Sequence, residues 1–112
     1  MYITLNNEKI FIKKATSFNE KLIGLIGQKK ITYGLLIPNC NHIHTFFMKD
    51  TIDVLFIDYR NCVLYKYENM PINRTFKVYE DTLNVHCLEL PKNTTKSIRI
   101  GDVLSFESEH II

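Results

Sequence analysis

A chain of 112 residues, 46% hydrophobic and 23% charged with a net charge of +2, is one domain's worth of sequence, able to bury roughly two thirds of its unfolded surface in a core. No apolar run approaches the roughly 18 residues that a membrane span needs, so a membrane partner is not expected. The charge is small but uneven. Residues 1–30 carry six lysines against Glu8 and Glu20, whereas the rest holds eight basic and ten acidic side chains. Solvated lysines explain this lobe as well as an anionic partner does. No basic cluster interleaved with aromatics stands out along the chain, so no nucleic-acid partner is evident. Cys40, Cys62 and Cys87 are an odd set without a CxxC spacing, which points to free thiols. Met1 to Asn7 offers neither a basic start nor an apolar signal core, and a cytoplasmic location is expected.

In chain order, Tyr2 to Leu5 and Lys9 to Lys14 read as two short strands joined at Asn6-Asn7-Glu8, because asparagine tolerates turn geometry. Ser17 then reads as a helix cap, with Glu20 completing a capping box. Phe18, Leu22, Leu25 and Ile26 give that helix one apolar face, and Gly27 ends it. Strands follow at Gly34 to Ile37 and His44 to Met48. The run Ile52 to Ile57 has Ile52, Val54 and Phe56 on one alternation and Leu55 and Ile57 on the other, the pattern of a central strand covered on both faces. Asp58 to Asn61 reads as a turn into the strand Cys62 to Asn69, which Met70-Pro71 breaks. Residues 71–83 are the least patterned stretch, a loop of a length that is often functional. A strand at Val85 to Leu90, a helical turn at Thr94 to Ile98, a turn at Gly101-Asp102 and a strand at Val103 to Phe106 complete the chain. The expected fold is α+β, a small, mainly antiparallel, curled sheet or barrel with one or two short helices.

The polar residues that invite chemistry gather between Cys40 and Asp53. If Cys40 to Met48 is extended, Cys40, His42 and His44 share one face, and a thiol with two imidazoles suits a soft or borderline metal ion, with His86 as a further ligand. A turn at Asn39-Asn41 would instead swing Cys40 away. Nucleophilic catalysis by Cys40 has a base available in His42, His44 or His86, but no nucleophile signature surrounds it. Asp53 opens an otherwise apolar strand and needs a partner: either backbone amides, or Lys49 and His44 around a polar pocket. Phe46, Phe47 and Met48 fit either a core or an apolar cleft.

Gly24-Leu25-Ile26-Gly27, Gly34-Leu35-Leu36, Phe47-Met48-Lys49-Asp50-Thr51, Asp53 to Asp58, Leu88-Glu89-Leu90-Pro91 and Gly101-Asp102 occur in the order found in the domain of unknown function 192 family, which the chain resembles over about residues 21–106. Phe47 stands where that family usually has tryptophan. The resemblance implies a small β-rich domain of mixed α+β type and no particular reaction.

Three readings follow. The first is a non-catalytic binding or accessory module with a polar pocket near His42, His44, Lys49 and Asp53, for a small molecule or protein that the sequence does not name. The second is a metal protein or small enzyme using Cys40, His42, His44 and His86. The third is a structural component that joins a larger assembly through a sheet edge or the 71–83 segment. No cofactor is indicated.

Overall fold

The computed structural model describes residues 1–17 and 24–108. Among them run nine strands: β1 (Tyr2–Leu5), β2 (Glu8–Lys14), β3 (Gly34–Ile37), β4 (His42–His44), β5 (Ile52–Ile57), β6 (Val63–Met70), β7 (Thr75–Lys77), β8 (His86–Pro91) and β9 (Phe106–Glu107). Seven form one sheet in the order β6-β5-β8-β3-β2-β1-β9, and β4 pairs with β7 in a separate two-stranded sheet. Of the pairings in the large sheet, β2 with β3 is parallel and the others are antiparallel.

Local chemistry sets the turns. Asn6 and Asn7 have φ of 51° and 62°, the two left-handed residues of a type I′ hairpin. At the other tight turn the Asp58 carboxylate accepts from the N–H groups of Arg60 (2.8 Å) and Cys62 (3.0 Å), and Asn61 takes φ of 64°. Gly34 answers a packing demand: a Cβ there would lie 2.9 Å from Leu90 Cδ2 and 3.1 Å from the Glu89 carbonyl oxygen.

All six residues of β5 are buried, as its doubly apolar pattern predicts. On one face Leu55, Ile57, Leu88 and Leu90 pack with Ile3, Leu5, Ile10 and Ile12. Since β1 lies four places from β5 in the order, this cluster requires the sheet to curl. The other face carries Val54, Phe56, Leu35, Ile37 and Cys87, and is covered by Ile43, Met48 and Val78 of the β4–β7 layer and by Leu25. The sheet is not closed strand to strand. Its ends are spanned by the chain itself: Val63 N–H donates to the Asp102 carbonyl and Leu104 N–H to that of Asn61 before β9 joins β1.

The mixed α+β expectation is therefore corrected to a nearly all-β fold with a mixed, curled, open sheet. The one helical element among the described residues is the short 3-10 turn Thr82–Asn84, capped by the Asp81 carboxylate on Leu83 N–H (3.1 Å). Most of the helix expected from Ser17 lies at 18–23, outside the described residues; Gly24 to Gly27 form a turn in which both glycines have positive φ. The helical turn expected at Thr94 to Ile98 is also absent. The N–H groups of Thr94 and Thr95 are taken by the Asp53 carboxylate (both 3.1 Å). No helix among the described residues is long and apolar enough to cross a membrane.

Candidate functional site

The histidines stand on the small β4–β7 sheet. The pairing His42↔Lys77, Ile43↔Phe76 and His44↔Thr75 joins segments more than thirty residues apart. Alternation then sorts the side chains. Ile43 and Phe76 face the core, while His42, Thr75 and Lys77 are exposed and His44 is half-buried. Residues 45–48 continue not as the expected strand but as a turn, closed by Met48 N–H on the Thr45 carbonyl (3.3 Å). Thr45 is the buried anchor. Its N–H donates to the Arg74 carbonyl (2.8 Å), its carbonyl accepts from Asn73 N–H (3.0 Å), and its hydroxyl donates to the Pro71 carbonyl (2.7 Å). The turn sends Met48 inward and leaves Phe46 and Phe47 40% and 79% exposed. The rings of Phe46 and His44 lie 5.6 Å apart. His44 Nδ1 is buried without a hydrogen-bond partner.

Phe47 also has φ of 64°, a left-handed conformation that costs a side chain with a Cβ about 1 kcal/mol. A ring so exposed returns little of that through packing. Phe47→Gly should therefore leave thermal stability unchanged or raise the melting temperature by a few degrees. A fall equivalent to more than about 1 kcal/mol would show that the ring packs for stability after all.

This face is rich in cations. Lys49, Arg74 and Lys77 are exposed, and residues 38–49 and 69–79 contain no Asp or Glu. At the margin the Asp50 carboxylate is paired with Lys92 (2.9 Å); the Lys92 hydrogen bond and Thr51 N–H lower its pKa.

The other residues singled out from the sequence lie elsewhere. Asp53 is fully buried. One carboxylate oxygen accepts from the N–H groups of Asn69 (2.9 Å) and Asn93 (3.2 Å). The other accepts from those of Thr94 and Thr95 (3.1 Å each) and from the Thr95 hydroxyl (2.7 Å). It ties β5 to the end of β6 and the turn after β8, and is closed to any partner. Cys40, after the left-handed Asn39 (φ 51°), packs against the core, donates its thiol to the His42 carbonyl (3.3 Å) and hydrogen-bonds with Cys87. Burial pushes the Cys87 thiol well above the usual range. His86 Nδ1 accepts from Asn39 N–H (3.0 Å), and burial followed by the charge of Lys14 lowers its pKa. The neutral ring carries its proton on Nε2, leaving neither nitrogen free as a ligand. Cys40, His42, His44 and His86 are thus not brought into one ligand set, and no three metal-ligating side chains converge among the described residues.

Two further features were not singled out from the sequence. Glu89, on β8, is buried, with its carboxyl against the Gly24 turn; burial first, then the neighbouring Cys40, push its pKa to about 8 while Leu25 N–H opposes the shift. An open cleft of about 360 Å³ lies between β1 and the C-terminal segment, lined by Leu5, Ile98, Asp102 and Leu104. Asp102 and Glu107 supply its carboxylates, and that of Asp102 already accepts from Arg99 N–H (2.8 Å).

The chain belongs to the domain of unknown function 192 family, as its ordered motifs imply: the family model described as DUF192, Uncharacterized ACR, matches residues 1–106. No curated protein matches the sequence. Two solved structures are similar. A protein of unknown function from Novosphingobium aromaticivorans has a TM-score of 0.75 and 14% identity over 94% of this chain and 82% of its own. A candidate transcription regulator from Sinorhizobium meliloti has a TM-score of 0.72 and 17% identity over 93% of this chain and 89% of its own. At these identities the likeness is one of fold.

Proposed function

We propose that this member of the domain of unknown function 192 family is a non-catalytic binding module that meets an anionic partner through the β4–β7 face. The observation that supports the reading is the union of Lys49, Arg74 and Lys77 with the exposed, left-handed Phe47 on a surface whose two contributing segments lack carboxylates. Fixed cations attract anions over about 8–10 Å at physiological salt; of the carboxylates that border these segments, Asp50 is already paired with Lys92, and Glu80 and Asp81 follow Tyr79. Exposed aromatic rings add apolar contact where the partner seats, a role that aromatic and Arg side chains commonly fill at interfaces. His42 and His44 belong to this surface; Asp53 does not.

Immobilised heparin tests the electrostatic part without presupposing the partner. The native protein should be retained and elute at moderate salt. The triple variant Lys49→Glu, Arg74→Glu, Lys77→Glu should pass through or elute much earlier, with its thermal unfolding unchanged because all three side chains are exposed. Equal elution of the two proteins would refute the reading. So would earlier elution caused equally by reversing Lys9, Lys13 and Lys14 on β2, since that would make retention a property of overall charge.

A further inference from the structure

We infer that the partner of the β4–β7 face is a single-stranded nucleic acid, held by base stacking on its aromatic side chains and by phosphate contacts with Lys49, Arg74 and Lys77. The inference rests on the binding-module reading and names its partner. Rings are distributed along the face, and the cations lie beside them. Phe47 is at the turn, Phe46 and His44 adjoin with ring centroids 5.6 Å apart at an interplanar angle of 31°, and Tyr79, two residues beyond Lys77, is 97% exposed. At about 3.3 Å per residue, the three residues of β4 span about 10 Å before the turn at 45–48, enough for one or two unstacked nucleotides. Lys77 stands opposite His42 in the pairing register, and Lys49 follows the turn.

The mixture of groups selects among anions. An inorganic polyanion needs the cations but has no use for the rings. A lipid surface favours apolar side chains concentrated at one protruding tip, whereas here half-buried His44 and exposed His42 continue from Phe46 back along β4. Unpaired bases offer what both parts require, a π-face for each ring and a phosphate for each cation. A duplex hides those base faces, and the face presents a short sheet and a turn instead of a helix shaped for the major groove.

Fluorescence anisotropy of a labelled ten-nucleotide oligo-U and oligo-dT, titrated with the full chain, tests this. A fully base-paired hairpin, polyphosphate of matched charge and phosphatidylserine vesicles serve as competitors. The single strands are expected to bind, with the logarithm of affinity falling against log salt at a slope of about −2 for three phosphate contacts. Phe46→Ala and Phe47→Ala should each weaken binding about 5- to 100-fold with unchanged melting temperature, and Lys49→Glu should flatten the salt slope. Polyphosphate competing as well as the oligonucleotides, with both phenylalanine variants unaffected, would overturn the nucleic-acid assignment while heparin retention still supported an anion-binding face. Preference for the hairpin, or binding to the vesicles alone, would also overturn it. Loss of heparin retention as well would remove the underlying reading.

Discussion

Replacing Asp53 with alanine is expected to be the most damaging single change outside the apolar core, costing about 4 kcal/mol or more and leaving the protein marginal or unfolded at 37 °C. The side chain is fully buried, and its two oxygens accept from four backbone N–H groups and one hydroxyl. Removing the carboxylate strands all five donors at once. A buried donor without a partner costs about 1–3 kcal/mol, and water entering from the part-buried side, at Asn69 and Asn93, offsets only some of the total. Against a typical net stability of about 5–15 kcal/mol, the loss is large. The geometry explains why both asparagines are left-handed: Asn69 (φ 49°) and Asn93 (φ 66°) turn their N–H groups onto the same oxygen. Asp53→Asn keeps one acceptor oxygen but presents an NH₂ to donors, so it should lie between alanine and the native protein, about 2 kcal/mol down. Urea unfolding followed by circular dichroism measures both. An alanine variant within 1 kcal/mol of native would mean that other groups or water satisfy those amides. Binding per folded molecule should be unchanged, because Asp53 does not reach the β4–β7 face.

How much of this arrangement can be read from the chain depends on the range of the interaction. The β5 pattern of Ile52, Val54 and Phe56 against Leu55 and Ile57 is local and unambiguous, and each of these side chains is at most 1% exposed. The Asn6-Asn7 and Asp58–Asn61 turns are equally local, since a left-handed asparagine or an Asx bond is a property of two or three residues. The backbone-amide alternative for Asp53 follows from the cost of burying a charge among apolar neighbours, although the segment at 93–95 that supplies three of the amides lies forty residues on. Thr94 to Ile98 misleads because the Thr94 and Thr95 amides answer to that distant carboxylate, and the segment forms only one reverse turn, with Ile98 N–H on the Thr95 carbonyl (3.0 Å). The site is legible only by half. Alternation places His42 and His44 on one face, but their companions Arg74 and Lys77 sit in the unpatterned 71–83 stretch until β4 pairs with β7. Phe46 and Phe47 resemble core residues in sequence, and only the Thr45 turn exposes them. Glu89 escapes notice for the reason β5 stands out: where a strand is buried on both faces, alternation no longer tells a solvent position from a core one.

That carboxyl should leave a signature in the pH dependence of stability. With a pKa pushed up to about 8 in the fold and an ordinary value near 4.5 in the unfolded chain, Glu89 keeps its proton on folding between those limits, while the unfolded chain has released it. The folded state therefore binds more protons, and stability falls as pH rises, by about 1.4 kcal/mol per unit across that window. The contribution is fully present below pH 4.5 and is lost by about pH 8, a swing on the order of 5 kcal/mol. Glu89→Gln imitates the protonated form, retains an oxygen for Leu25 N–H, and has no proton to lose. The variant should match the native protein near pH 4.5 and exceed it by several kcal/mol at pH 8, most visibly as a melting temperature that stays level where the native one declines. Asp50 and His86 titrate in both proteins and cancel in the difference. The Cys87 thiol, raised well above its usual range by burial, adds its own loss only at more alkaline pH. Parallel profiles for the two proteins would show that Glu89 ionises inside the fold at little cost, stabilised there by a group that complements its charge. A crossing near pH 4.5 with steady divergence above it would establish a neutral carboxyl beneath the Gly24 turn at physiological pH. Such a carboxyl donates a hydrogen bond where a carboxylate only accepts.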